Sequence, residues 1–328
     1  MTSSHLLIRL IVISALGAAG LPATTVAVRV LNQTPGSSDP AGLAVSLTVS
    51  RGEEGRSYGP VPTDRDGTAH FDIPGIAEES QASASTAYQG VKYESDPVML
   101  APGADSVEIP LAVYEATSSS EKVVVSFHHS VLRPMKGAVR VTEMLMLDNR
   151  GDRTYVGRRE LQPGLRAVFE YALPPGYRQL ELGRGLMACC VMQLDGKLID
   201  TMELKPGRRT IQFRYVIPAT EGKLPFQPDI TFATERYNVL VDPALKVESA
   251  TGLRNSDPSE YMDVALISYE AGDLAPGTKL RVNVAGIPFD RGPQLRWLTA
   301  AAALLLSILL LVFAMRSRRS APAPGIGG

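Results

Sequence analysis

The sequence predicts an all-β fold class, with β-sandwich domains in tandem followed by one C-terminal transmembrane helix. Short runs in which apolar and polar residues alternate recur roughly every 8–12 residues, and turn-forming residues separate them. No stretch before Trp297 repeats its apolar residues with the 3.6-residue period of a helix. The run Trp297–Met315 carries no charge, and at about 1.5 Å per residue it reaches roughly 28 Å, close to the hydrocarbon thickness of a bilayer.

The two ends of the chain indicate export and anchoring. Residues 1–23 combine a weakly basic start, an apolar run and small residues, which is the layout of a signal peptide; an uncleaved N-terminal anchor is the alternative. We assign the transmembrane helix to residues 296–315, with a buried core helix as the alternative. Three arginines follow it closely and favour a cytoplasmic location for the tail, residues 316–328. We therefore expect a single-pass protein of the cytoplasmic membrane, with its folded part in the periplasm or outside the cell.

Composition limits the partners and the redox chemistry. The net charge is −1 with acids and bases interspersed, so nothing indicates a nucleic acid as a partner. The two cysteines, Cys189 and Cys190, are adjacent in the apolar run GLMACCVMQL. In a strand, neighbouring side chains point to opposite faces, and a disulfide between them would need a strained turn. We expect two small buried hydrophobic residues here, and a redox or intermolecular role is the alternative.

The first segment, residues 24–116, resembles a known module. The stretches LAVSLTVS, TDRDGTAHFDIPGI, YQGVKYESDPVML and VEIPLAVYEAT resemble the carboxypeptidase regulatory-like domain, which belongs with transthyretin-like (prealbumin-like) sandwiches. The predicted hairpin turn Thr63–Gly67 before the strand Ala69–Ile73 is the most specific piece, and the acidic insertion Ala77–Ala82 departs from the pattern. The resemblance implies a prealbumin-like sandwich that serves as a spacer or binding module, usually without catalysis.

In this segment the alternation predicts seven strands: Val26–Leu31, Leu43–Val49, Thr68–Ile73, Ser83–Tyr88, Val91–Tyr93, Val98–Leu100 and Ser106–Tyr114.

Two further segments follow a polar linker at residues 117–121. Residues 122–219 predict a second, Ig-like β-sandwich, with one hairpin turn at Asp148–Asp152 and another, of type I′, at Asp195-Gly196. Residues 220–290 predict a third small β-domain, although they could instead complete the second. Strands are expected at Lys122–Phe127, Gly137–Leu147, Arg153–Val156, Arg166–Ala172, Gln179–Leu182, Leu186–Leu194, Lys197–Leu204, Arg209–Ile217, Thr231–Phe232, Tyr237–Val241, Lys246–Ser249, Met262–Ser268 and Lys279–Ala285.

Few residues are candidates for chemistry, and we assign no catalytic or cofactor-binding residue. His128 and His129 end a predicted strand with Met135 nearby, and imidazole with thioether suits copper. Adjacent histidines on a strand face opposite ways, however, so a strand end with core methionines is the competing interpretation. The signatures HExxH and GxxxxGK[ST] are missing from the sequence, while a dispersed triad stays open.

Two turns also carry short motifs. Arg150-Gly151-Asp152 spells an integrin-binding tripeptide, and Asp64 with Asp66 could contribute to a calcium site. Turn chemistry alone explains both, because Asn, Asp and Gly are the residues that tight turns require.

These observations favour a membrane-anchored, non-enzymatic binding or scaffold module for other cell-envelope proteins. The expected partners are the membrane, through the chain's own anchor, and envelope proteins. A periplasmic copper-handling protein and a carbohydrate-binding or hydrolytic envelope protein are the alternatives.

Overall fold

The computed structural model describes residues 23–261, 264–288 and 301–311. Within these residues the fold is all-β apart from one helix, α1, at residues 301–311. The chain divides into two compact units. The described part of the first runs to Ser118 and also includes Gly151–Val156; the second contains Ser119–Arg150 and the described residues from Gly157 onwards. The signal peptide at 1–23, apart from its last residue, and the cytoplasmic tail at 316–328 lie outside the described residues.

The first unit is a two-sheet β-sandwich with a pair of short strands. Its strands are β1 Thr24–Asn32, β2 Ala44–Arg51, β3 Glu54–Pro62, β4 Thr68–Ile73, β5 Ser80–Tyr88, β6 Val91–Glu94, β7 Val98–Leu100, β8 Ser106–Val113, β9 Ala116–Thr117 and, from later in the sequence, β12 Thr154–Tyr155. One sheet has the order β4-β1-β8, and the other has the order β3-β2-β5-β6 with β7 also paired to β5. β1 and β8 run parallel, and β12 pairs in parallel with β9.

Alternation along the strands creates the core of the first unit. On β1, Val26, Val28 and Val30 are fully buried while Arg29 between them is exposed, as the two-residue period of a strand requires. The same core includes buried residues from the second sheet, among them Leu47 of β2. The β-sandwich predicted for this segment is therefore confirmed.

The segment Gly151–Val156 belongs to the first unit although β11, which precedes it, belongs to the second. The hydroxyl of Tyr93 donates to the carbonyl of Tyr114 at 2.7 Å and lies 2.8 Å from the hydroxyl of Thr154. The hairpin predicted at Asp148–Asp152 is therefore wrong. The chain does not turn back there, because the strand that follows pairs with Ala116–Thr117.

The second unit is built on a seven-stranded sheet of order β16-β19-β11-β10-β21-β24-β23. Three smaller sheets have the orders β15-β18-β17, β20-β25-β22 and β13-β14. The strands are β10 Val123–Met135, β11 Ala138–Asn149, β13 Arg159–Gln162, β14 Leu165–Ala167, β15 Phe169–Ala172, β16 Arg178–Leu182, β17 Val191–Leu194, β18 Lys197–Asp200, β19 Gly207–Pro218, β20 Lys223–Phe226, β21 Ala233–Val241, β22 Lys246–Thr251, β23 Arg254–Tyr261, β24 Val264–Leu274 and β25 Arg281–Ala285.

The separate third domain favoured for residues 220–290 is wrong. β21, β23 and β24 lie in the same sheet as β10, β11 and β19, and β21 runs parallel to β10 with Ser130 opposite Val239. Parallel pairing joins strands that are far apart in sequence, so no local turn signal reveals it. The alternative interpretation, that these residues complete the second domain, describes the structure.

Two predicted turns have different outcomes. Asp195 and Gly196 have φ values of 52° and 71° and join β17 to β18, so the type I′ hairpin is confirmed. The turn Thr63–Gly67 is not a hairpin, because the strands on either side, β3 and β4, belong to different sheets. There the Asp64 carboxylate accepts the N–H groups of Asp66 and Thr68, both at 2.9 Å.

Several strand boundaries also differ from the prediction. The sequence reasoning missed β3, β9, β13, β20 and β23, which are short or rich in polar residues, proline and glycine. β9 includes Thr117, the first residue of the predicted linker. The segment predicted as a strand from Leu186 begins as a turn, and β17 starts only at Val191.

Helix α1 lies inside the run assigned to the membrane. Its leucines and isoleucine are exposed, with Leu304 at 66% and Leu311 at 65% of full exposure. Among the residues that the structure describes, no helix is long and apolar enough to cross a membrane.

We expect a fragment of residues 122–219 to remain unfolded, because it lacks β21 and leaves the long strand β10 as an open edge. A matched fragment of residues 119–288 contains all seven strands and should unfold cooperatively in urea. Circular dichroism with urea titration distinguishes the two. Cooperative unfolding of the shorter fragment would restore the three-domain interpretation.

Candidate functional site

The second unit contains a cluster of polar side chains sealed inside its core. We call it the Glu143 cluster, and its members are His128 and Ser130 of β10, Glu143 of β11, Tyr171 of β15, Tyr215 of β19 and Tyr237 of β21. Each is no more than 1% exposed. These residue types are those that nucleophilic and acid–base catalysis use, so the cluster is the first place to look for chemistry.

The alternation of the strands places these residues inside. On β11 the buried positions alternate from Val139 through Val141, Glu143 and Leu145 to Leu147, so Glu143 occupies a core position by strand parity. On β19, Tyr215 follows buried Ile211 and Phe213 in the same way.

A β-bulge selects which histidine enters the cluster. On β10, Val123 and Val125 face the core, and the register shifts between Val125 and Phe127. The extra residue reverses the parity of the strand beyond it. His128 therefore points inward, and His129 lies on the other face, where its ring is 5.0 Å from that of Phe127.

The carboxyl group of Glu143 is the hub of the hydrogen bonds. Its Oε1 accepts the hydroxyls of Tyr171 and Tyr215, each at 2.8 Å. Its Oε2 accepts the hydroxyl of Ser130 at 2.6 Å and lies 2.8 Å from Nε2 of His128. Tyr237 is 2.9 Å from the Ser130 oxygen. Since the single Ser130 proton goes to Glu143, Tyr237 is the donor in that bond.

The cluster holds its tyrosines in the neutral form. Burial raises the pKa of Tyr171 well above its ordinary value, and the nearby Glu143 carboxylate raises it further. Burial and Glu143 raise the pKa values of Tyr215 and Tyr237 in the same way. On the other face of the sheet, burial lowers the pKa of His129.

The arrangement lacks the order that a catalytic triad needs. In a triad the histidine lies between the nucleophile and the carboxylate and takes the nucleophile's proton. Here the carboxylate lies in the middle: Ser130 and His128 both bond to the same oxygen of Glu143. The cluster is also closed to solvent, so no substrate reaches Ser130. These residues form a structural network and do not form a nucleophilic site.

The three copper candidates do not converge. His128 is engaged by Glu143, and His129 faces the opposite side of the strand. Met135 is at the far end of β10, six residues beyond His129, or roughly 20 Å at 3.3 Å per residue. Among the described residues, no group of three or more His, Cys, Asp or Glu is placed to hold a metal ion.

The tripeptide Arg150-Gly151-Asp152 does not present a free arginine. The guanidinium of Arg150 makes a bidentate contact with Glu235 at 2.6 and 2.9 Å and a third contact with Asp148 at 3.0 Å. These hydrogen bonds raise the pKa of Arg150 above its ordinary value. At Asp64 and Asp66, the carboxylate of Asp64 is occupied by backbone N–H groups, as turn chemistry predicts.

The cysteines are not the buried residues that the sequence indicated. Cys189 is exposed and Cys190 is partly exposed, and both are free thiols. They lie in a turn, where the N–H of Cys190 donates to the carbonyl of Met187 at 2.9 Å. The alternation of a strand therefore does not apply to this pair.

The first unit has an open groove of about 660 Å³ on the outer face of its three-stranded sheet. Its lining combines Arg29 and Arg65 with Asp39, Asp66 and Glu108, so it offers charges of both signs. The groove is a candidate binding surface for a polar partner.

Comparisons with known proteins do not identify the chain. No known protein family matches it, and no curated protein does either. A solved DUF3823 family protein from Parabacteroides merdae ATCC 43184 is 12% identical, with a TM-score of 0.20 over 58% of this chain and 80% of that chain. The full-length major pilin SpaD from Corynebacterium diphtheriae is 10% identical, with a TM-score of 0.21 over 80% of this chain and 82% of that chain.

Alkaline pH should destabilise the second unit steeply. An unfolded tyrosine ionises near a pKa of about 10, whereas the raised pKa values keep Tyr171, Tyr215 and Tyr237 neutral in the fold. The stabilisation is therefore fully present below about pH 10 and is lost as the pH rises above it, by up to about 1.4 kcal/mol per pH unit for each tyrosine.

The slope is the change in the free energy of unfolding per pH unit. It is measured by unfolding the second unit in urea at a series of alkaline pH values, with hydrogen exchange in peptides from β11 as the readout. Tyr171→Phe should make it shallower, and Tyr177→Phe controls for the loss of a phenol outside the cluster. A slope that Tyr171→Phe leaves unchanged would show that Tyr171 ionises equally in the folded and unfolded chain.

Proposed function

We propose that this chain is a membrane-anchored, non-enzymatic β-sandwich module that binds or positions another protein of the cell envelope. The observation that carries the proposal is the closure of the Glu143 cluster. The second unit brings a serine, a histidine and a glutamate together, but it buries them and places the carboxylate between the other two. Apart from helix α1, the accessible part of the described chain consists of sheet faces, loops and turns.

The outer groove of the first unit is the surface we assign to the partner. Arg29 on β1 and Arg65 in the turn before β4 are exposed, and acidic side chains lie on the same surface. Complementary charges across an interface favour the correct partner and speed its association. A partner with both an acidic and a basic patch fits this lining.

Sheet edges are less suited to that role than the groove. Four edge strands contain proline: Pro60 and Pro62 in β3, Pro110 in β8, Pro225 in β20, and Pro258 in β23. The edge strand β16 has an irregular register against β19. Proline and bulges are the devices by which proteins prevent another chain from adding a strand. Binding through a sheet face and its loops is therefore favoured over strand addition.

Anchoring rests on the C-terminal apolar run. The exposed leucines of α1 cover several sides of the helix, and the uncharged sequence continues beyond it in both directions. A helix that is apolar all round requires a lipid or protein environment. With the signal-peptide pattern at residues 1–23, this supports placement of the two β units outside the cytoplasm. We also assign the first unit to the carboxypeptidase regulatory-like sandwiches, on the sequence stretches that resemble them.

Charge reversal in the groove tests the proposal. Tagged full-length protein is cross-linked in its native cells, solubilised in detergent and captured. The wild type should capture one envelope protein reproducibly. The groove variant Arg29→Glu/Arg65→Glu should capture about tenfold less of it, equivalent to a loss of ~1.4 kcal/mol in binding free energy. The matched control Arg51→Glu/Arg56→Glu makes the same change of charge elsewhere on the first unit and should retain that protein.

Equal capture by both variants would remove the groove from the proposal. Recovery of no reproducible protein by the wild type, or turnover of a substrate by the purified chain, would contradict the scaffold function itself.

A further inference from the structure

The turn before β17 brings two thiols into contact at the surface of the second unit. The Sγ atoms of Cys189 and Cys190 lie 3.0 Å apart, and both residues are free cysteines. Because they lie in a turn, their side chains are not forced to opposite faces as they would be in a strand. We propose that Cys189 and Cys190 are a redox-active dithiol that closes reversibly to a vicinal disulfide by exchange with a disulfide-bearing oxidant.

The backbone holds the two cysteines differently. The N–H of Cys190 donates to the Met187 carbonyl at 2.9 Å, and the Cys190 carbonyl accepts both the N–H and the hydroxyl of Thr201, each at 2.9 Å. Val191, the next residue, begins β17 and pairs with Asp200. Cys190 is therefore fixed to the sheet, while Cys189 is the exposed member at the tip of the turn.

This asymmetry assigns the roles of the two sulfurs. Cys189 is accessible to an oxidant, and attack needs an accessible sulfur. Cys190 is less accessible, and its hydrogen bond with Cys189, together with burial and nearby carboxylates, raises its pKa to about 11. Cys190 therefore retains its proton at neutral pH and acts second, from a position already in contact with its target.

The exchange balances in two steps. The Cys189 thiol loses its proton, and its sulfur attacks one sulfur of the oxidant, breaking the oxidant's S–S bond and releasing one thiolate, which takes up a proton. Cys190 then loses its proton and attacks Sγ of Cys189, forming the Cys189–Cys190 bond and releasing the second oxidant thiolate, which is also protonated. The two cysteines are oxidised by two electrons, and the oxidant disulfide is reduced to two thiols.

Chain geometry predicts that such a bond is readily reversed. Neighbouring Cα atoms are about 3.8 Å apart across a trans peptide, whereas ordinary disulfides join Cα atoms roughly 4.4–6.8 Å apart. A bond between neighbours also encloses no intervening residues, so it contributes little by restricting the unfolded chain. Strained, exposed disulfides are the labile and regulatory ones. The pair therefore suits a switch at the start of β17 and does not suit a structural cross-link.

Mass spectrometry of the full-length protein in detergent tests the proposal. The chain is first reduced and then incubated with oxidised glutathione. The wild type should lose both reactive thiols, become lighter by two hydrogens and carry no glutathione. An excess of reduced glutathione should restore both thiols. Cys190→Ser should instead retain glutathione on Cys189, because the second thiol that would release it is missing. Cys189→Ser is the matched single-thiol variant and should react more slowly, since Cys190 is less accessible.

Three results would overturn the proposal: a wild type that keeps both thiols, a wild type that keeps glutathione as Cys190→Ser does, or a disulfide-linked dimer as the main product. Circular dichroism of each variant confirms that the fold is retained. Loss of partner capture by groove variants leaves this test unaffected, so the redox proposal and the proposed binding function fail separately.

Discussion

A carboxyl group removed from water must be given hydrogen-bond partners. The free energy lost by burying a polar group without a partner is comparable with the whole free energy of unfolding of a typical domain. In the second unit this constraint is met at Glu143. Hydroxyls from β10, β15 and β19 reach its two oxygens, together with the imidazole of His128, and Tyr237 of β21 completes the network through Ser130. Four strands of the seven-stranded sheet and one strand of a smaller sheet therefore depend on the same group. Tyr171 also packs its ring edge against Phe213, 5.0 Å between centroids, which fixes β15 over the inner face of the large sheet.

The same constraint separates this network from a catalytic site. Serine, histidine and glutamate at hydrogen-bond distance resemble hydrolase machinery by residue type. The order of the three groups decides the chemistry. His128 and Ser130 each bond to the same oxygen of Glu143, so the carboxylate lies between the histidine and the serine. Satisfied networks of this kind rigidify a core and specify one arrangement of its strands. That role suits a module whose function lies on its surfaces, such as the mixed-charge groove of the first unit and the cysteine turn of the second.

Strand alternation made much of the fold predictable. Thr68–Ile73 and Val98–Leu100 were predicted with the bounds that the structure has, and most other strands differ by a few residues. Alternation could also have identified Glu143. Every second residue from Val139 faces the core, and Glu143 is the one polar residue in that series up to Leu147. His128 could not have been found this way. The bulge before Phe127 changes which residues of β10 face the core, and no single residue in the sequence predicts the bulge.

The remaining differences have non-local causes. The pairing of β10 with β21 joins Ser130 to Tyr237 across 107 positions of sequence, so residues 220–290 read locally as a separate domain. At Cys189 and Cys190 the apolar composition suggested burial, but the chain turns before β17 begins and exposes the first of them. The apolar composition of this segment shows that its residues are suited to burial, but the turn determines which of them are actually buried.

The central claim is that Glu143 holds the second unit together, and a double-mutant cycle with Tyr215 tests it most directly. Hydrogen exchange in peptides from β11 and β19, measured across a urea series, gives the free energy of opening. Glu143→Leu should lower it by about 3–5 kcal/mol, because several buried donors lose their acceptor. Tyr215→Phe should be costly in the wild type and nearly neutral beside Glu143→Leu. Glu248→Leu, at an exposed ion pair with Lys223, should cost no more than about 1 kcal/mol. A Glu143→Leu variant as stable as the wild type, with additive effects at Tyr215, would contradict the account.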